Sequence, residues 1–171
     1  MQTTNITKVH KLFPEAHIPV YGSEWAACFD LSASIRNGDE ISVRNDSNRK
    51  SVRIVCDNMF TLYSEERCLV PTGLIFHFSQ IESLRIHPRS GLAWKDGISV
   101  ANCEGIVDAD YVDETFVMLH NLSTKPFLIA DGMRIAQAEI VECRSQTLFL
   151  LTPDAPVSKT SRDGGFGSTG V

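Results

Sequence analysis

The chain has 171 residues, 43% of them hydrophobic, and a formal net charge of -5. That size and apolar content suit one globular domain with a genuine core. The acidic balance and the absence of any Lys/Arg block exclude sequence-independent nucleic-acid binding, which rests on clustered cations, and no run approaches the roughly 20 apolar residues needed to cross a bilayer.

The opening stretch, Met1 to Thr7, is polar and carries no apolar signal core, so a cytoplasmic protein is expected rather than a secreted one. The five cysteines (Cys28, Cys56, Cys68, Cys103 and Cys143) are odd in number and widely spaced, which speaks against a disulfide framework or a zinc site. The histidines form no H-E-x-x-H pattern and read as structural or surface residues.

Val, Ile, Phe, Leu and Thr cluster in runs of four to eight, separated by Gly, Pro, Asn and Asp. No segment sustains a long 3.6-residue apolar period, so the pattern predicts an all-β sandwich or barrel. Early in the chain, Trp25–Ala33 places Asp30 at the end of such a run. Between Ile35 and Cys68, Ile41/Val43 and Val52/Ile54 alternate with polar residues around Asn45-Asp46-Ser47-Asn48-Arg49-Lys50. This predicts a β-hairpin whose exposed tip is locally basic, with Arg44, Arg49, Lys50 and Arg53. It is either a decorated loop or a docking surface.

Further on, His87-Pro88-Arg89-Ser90-Gly91-Leu92 combines a guanidinium, a hydroxyl and a glycine. Gly91 lets backbone N–H groups approach an anion closely, and Ser90 adds a donor. The stretch Gly105-Ile106-Val107-Asp108-Ala109-Asp110-Tyr111 follows. If extended, it turns Asp108 and Asp110 to one side and Ala109 and Tyr111 to the other. A carboxylate at the edge of an apolar strand can serve as a general base on water. Asp131–Ile140 is a further strand-like run carrying Arg134 and Gln137. From Thr152 the chain turns rich in Ser, Thr and Gly, and it ends on Gly164-Gly165-Phe166-Gly167-Ser168-Thr169-Gly170.

These five stretches resemble, in order, the five signature motifs of the trimeric dUTP diphosphatase family. The resemblance implies a jelly-roll-like β-barrel core over 1–151, with an added segment within 35–68, and a flexible C-terminal lid over 152–171. It also implies a homotrimer with shared sites that splits dUTP into dUMP and pyrophosphate with Mg2+. By resemblance, Asp108 is the general base, and Asp30 helps hold magnesium through water. Ser90 lies near the oxygen bridging the α- and β-phosphates, and Arg89 keeps base and phosphates in register. Asn102 and the backbone of Gly105 and Ile106 read the uracil edge. Tyr111 packs on the deoxyribose and excludes a 2′-hydroxyl. Gln137 contacts phosphate, and Arg162, Phe166, Gly167 and Ser168 form the lid.

Three positions depart from the family pattern: Cys28 and Asp113 stand where glycine is usual, and Ser161 where the lid arginine is, with Arg162 one residue later. Two other readings are a dCTP deaminase relative, which shares the fold, and a regulatory module that touches a protein partner through 35–68. The intact Asp108–Tyr111 pattern and the lid favour dUTP hydrolysis.

Overall fold

The computed structural model describes residues 7–143 and Thr147. The lid residues Arg162, Phe166, Gly167 and Ser168 lie outside them. Two five-stranded antiparallel sheets dominate. The first runs β10 (Ile98–Val100), β12 (Phe116–Asn121), β7 (Arg67–Pro71), β4 (Glu40–Arg44), β5 (Lys50–Ile54). The second runs β11 (Gly105–Val107), β9 (Glu82–His87), β14 (Arg134–Glu142), β3 (Phe29–Ser32), β2 (Val20–Tyr21). Two short ladders accompany them, β1 (Lys8–Lys11) with β8 (Leu74–His77) and β6 (Met59–Leu62) with β13 (Phe127–Ala130). This is the expected all-β, jelly-roll-like barrel. No helix among the described residues is long and apolar enough to cross a membrane.

Alternation along the strands explains the core. Phe29 and Leu31 of β3, Leu84 and Ile86 of β9, and Ala136 and Ala138 of β14 are buried from one sheet. Ile41 and Val43, Cys68 and Val70, and Val117 and Leu119 are buried from the other. All belong to one contiguous cluster, and the intervening residues face outward, as a period of two requires.

Within 35–68, Arg44 stands opposite Lys50 and Glu40 opposite Ile54, so the two strands form a hairpin. Its turn is fixed by Asn45, whose side-chain Oδ1 accepts from the Arg49 N–H at 2.8 Å, and by Asn48, which adopts φ 59°. Asn tolerates that left-handed conformation better than most residues. The segment is woven into the barrel: β4 also pairs with β7, and Phe60 and Leu62 of β6 are buried. Val52 and Ile54 point outward instead of joining the core. Arg53 does not belong to the exposed basic tip. It turns inward, pairs with Glu66 at 2.6 Å and lies over the Tyr63 ring.

One short helix interrupts the strands, α1 (Ser90–Asp96). It buries only Leu92 and ends at Gly97, whose φ of 69° lets its N–H return to the Leu92 carbonyl. The helix fixes where β9 delivers Arg89 and Ser90.

Candidate active site

Strand register decides which of the expected site residues meet. Gln137 on β14 stands opposite Asp30 on β3 and opposite His87 on β9. Two residues beyond His87, the Arg89 side chain folds back over the sheet, and its Nε lies 2.9 Å from Asp30 Oδ1. Arg134 Nη1 reaches the other oxygen, Oδ2, at 3.0 Å. Arg89 Nη1 also donates to the Arg134 carbonyl, and Gln137 Nε2 donates to the Pro88 carbonyl at 3.0 Å. Asp30 is thus a largely buried carboxylate gripped by two guanidiniums, with Gln137 beside it and the exposed Ser90 and Gly91 at the start of α1. Such charge-assisted bonds fix geometry as well as supply energy. Two cations against one carboxylate leave the cluster with a surplus positive charge.

Among the described residues no group of three or more His, Cys, Asp or Glu could hold a metal ion. A closed protein cage for a divalent cation is therefore not built among the described residues. One carboxylate suits magnesium that arrives with phosphate oxygens and keeps its own water, which is how that ion is usually held. Both Asp30 oxygens are engaged by Arg89 and Arg134, so the part expected of Asp30 is one exercised through water and not by direct coordination.

The second set of residues gathers around the end of β11. Asp108 follows Val107, and the Tyr111 N–H closes a turn onto the Asp108 carbonyl at 3.1 Å. The Asp108 carboxylate is exposed and has no hydrogen bond or ion pair among the described residues. Ile106, Asp108, Tyr111, Thr115 and Phe116 border an open concavity of about 400 Å³. On its other side Asp108 borders a second concavity, of about 470 Å³, shared with Phe78, Glu82, Ser83 and Cys143. The phenol of Tyr111 donates to the Glu114 carbonyl, and Glu114 Oε1 accepts from the Gly73 N–H at 2.7 Å. Asn102 sits in the turn before β11, where its carbonyl accepts from the Glu104 N–H. It is therefore at the opposite end of β11 from Asp108.

The two sets do not meet within one chain. Val107 stands opposite Leu84 and Gln137 opposite His87, which places Asp108 about 13 Å along the sheet and about 10 Å across it from Gln137, at ordinary strand spacings. Arg89 accordingly contacts Asp30 and not Asp108 in the single chain.

Two features were not legible in the sequence. Glu114 lies beside a departure from the family pattern, yet its side chain ties the end of the Asp108–Glu114 loop to the Gly73 N–H. His87 is held by Glu139 at 3.1 Å and faces Glu104 at 3.8 Å, and Glu104 also lies 3.7 Å from Arg85. These contacts tie the turn carrying Asn102 to β9, the strand that leads to Arg89. Only the register of β11, β9 and β14 brings them side by side.

Gly105 explains how closely β11 rides on β9. A Cβ there would lie 3.0 Å from the Ile86 Cβ, in the buried core. Gly105→Ala should lower stability by about 1–3 kcal/mol, the usual cost of overpacking, and denaturant unfolding measures it. Glu114 yields a pH prediction. Burial raises its pKa above the ordinary carboxyl value, and the Gly73 N–H only partly opposes this. A raised folded-state pKa means stability is lost as pH climbs from the ordinary carboxyl value, about 4.3, through the higher folded one. Gln would keep the acceptor for Gly73 without the charge. The melting temperature of Glu114→Gln should therefore match the parent near pH 4 and exceed it at neutral pH.

The architecture matches solved dUTPase structures. That of Staphylococcus bacteriophage 80alpha aligns with a TM-score of 0.70 at 18% identity, over 98% of this chain and all of that one. The fold is therefore that of the dUTPase barrel. The dUTPase family pattern matches residues 52–170. The deoxyuridine 5′-triphosphate nucleotidohydrolase of Bartonella bacilliformis is 37% identical over 90% of this chain and 82% of its own length. That of Brucella melitensis biotype 2 is 44% identical, with 90% and 85% covered. The chain belongs to the dUTPase family.

Proposed function

We propose that the protein hydrolyses dUTP to dUMP and pyrophosphate, at sites that each take the Asp108 loop from one copy and the Asp30–Arg89–Gln137 cluster from another. The observation that carries this reading is the split geometry. A nucleophile-activating carboxylate and a phosphate-binding cluster are both present, yet at opposite ends of one sheet. A second copy can bring them together, and a closed ring of copies is the common solution for such head-to-tail contacts. The family's homotrimer supplies three such sites.

In this reading β11 acts as a ruler for the nucleoside. The turn at Asn102 and the backbone of Gly105 and Ile106 face the uracil, where buried donors and acceptors reject a wrong base by leaving partners unpaired. Tyr111, braced by its bond to the Glu114 carbonyl, stacks on the deoxyribose. Asp108 orients a water and takes its proton as the oxygen bonds to the α-phosphorus. The bond from that phosphorus to the bridging oxygen breaks, and the electron pair leaves with pyrophosphate. Arg89, Gln137 and Ser90 meet the charge that develops on the departing group. Magnesium, when bound through Asp30, would neutralise phosphate charge. The expected lid residues Arg162, Phe166, Gly167 and Ser168 complete this proposal in the sequence alone.

The direct test is to incubate the purified full-length chain with dUTP and magnesium and follow dUMP and pyrophosphate. Their appearance in equal amounts supports the reading. Intact dUTP, or ammonia released from dCTP instead, overturns it.

A further inference from the structure

The outer face of the first sheet carries a row of like charges that the proposed reaction does not use. Lys50 of β5 stands opposite Arg44 of β4, Arg44 opposite Arg67 of β7, and Arg67 opposite His120 of β12. Like charges directly opposite one another on a sheet are destabilising. Within the described residues, Lys50, Arg44 and Arg67 form no ion pair that would relieve this. Arg44 Nη1 and Arg67 Nη2 instead converge on one neutral residue, Asn48, at its carbonyl and at its Oδ1. These three cations are held in place but not neutralised, whereas His120 at the end of the row lies 3.9 Å from Glu65.

Beside the row the surface is mixed, with apolar side chains set among Ser42, opposite Val52, and Glu40, opposite Ile54. Val52, Ile54, Leu69 and Met118 are all exposed by more than a third. A concavity of about 290 Å³ spans the boundary, bordered by Arg44, Asn48, Arg67, Leu69 and Met118. The geometry also leaves β5 as the edge of its sheet, paired only with β4 among the described residues. Its five residues pair in unbroken register, without a proline or a bulge to twist the edge away. One lysine can discourage stray pairing at an edge. Three aligned cations exceed that need, and exposed Val52 and Ile54 work against it.

We propose that the β5 edge docks an extended, acidic and apolar segment of a protein partner, which adds a strand to the sheet. Strand addition uses main-chain hydrogen bonds for affinity and alternate side chains for specificity. The register then dictates the sequence of an antiparallel guest. Apolar residues stand opposite Ile54 and Val52, and an acid two positions later stands opposite Lys50, within reach of Arg44. The pattern is apolar-x-apolar-x-acidic.

The probe is the labelled peptide Val-Ser-Val-Ser-Glu, with Val-Ser-Val-Ser-Lys as control, titrated against the full-length protein by fluorescence anisotropy. The Glu peptide should bind measurably tighter than the Lys peptide, with the difference shrinking as salt is added. The double variant Lys50→Glu/Arg44→Glu should weaken the Glu peptide about fivefold or more, as two partly exposed ion pairs allow, and favour the Lys peptide instead. The melting temperature and dUTP turnover of the variant report that its fold is intact. Equal binding of both peptides, or none at millimolar concentration, overturns the proposal. So does a change in molecular mass of the double variant by light scattering, since that would assign this face to contact between copies of the chain.

Discussion

Asp108→Asn should lower dUTP turnover by about two to four orders of magnitude, the usual contribution of a placed general base. It should leave the protein otherwise intact. The Asp108 carboxylate is exposed and makes no hydrogen bond or ion pair among the described residues. The isosteric amide therefore breaks nothing, and a surface change of this kind stays within about 0.5 kcal/mol of the parent's stability. Binding of a non-hydrolysable dUTP analogue should persist, because the proposed uracil contacts lie at the other end of β11. The amide still orients a water but cannot accept its proton. The loss should accordingly appear in kcat and spare the analogue's Kd. Turnover unchanged from the parent would remove Asp108 from the chemistry altogether.

A second large effect is expected from mixing. Arg89→Ala breaks the grip on Asp30 from one side and removes a cation from the proposed phosphate cluster, and alone it should be nearly inactive, as Asp108→Asn should be. The two defects lie at opposite ends of the second sheet. If each site draws on two copies, co-refolding equal amounts of the two variants restores activity. About a quarter of the sites then combine two unaltered halves, by random assortment within closed assemblies. Rates measured on the mixture should rise far above the sum of the separate proteins. Strict additivity would place both residues in one copy's site and contradict the register that separates them.

Much of this was legible in the amino-acid order. The alternation of Ile41 and Val43 with polar neighbours marks β4, and the strand-like run within Asp131–Ile140 marks β14. The turn chemistry of Asn45 and Asn48 announced a hairpin. Which faces of that hairpin would be buried was less accessible. Ile41 and Val52 are both aliphatic, but only Ile41 meets the opposite sheet, because the register sets Val52 beside Ser42 on the outer face and Arg53 beside Ile41 on the inner one. Arg53 looked like a member of an exposed basic tip. Its partner Glu66 is thirteen residues away, and only folding reveals it. Likewise, the family resemblance says which residues to expect in each half of the site, whereas the distance between the halves depends on pairings among β11, β9 and β14. Local sequence specifies period and turns, and long-range register decides who faces whom.

In the proposed reading, the clamp of Arg89 and Arg134 on Asp30 has a consequence for how a nucleotide is captured. The chain as a whole is acidic, at -5, and a triphosphate is a polyanion, so the far field repels its own substrate. The clamp's excess cationic charge is felt only within a Debye length, about 8 Å at physiological ionic strength. Capture is therefore a contact event rather than a long-range pull. Added electrolyte, by muting the repulsion more than the contact, would hasten encounter instead of slowing it.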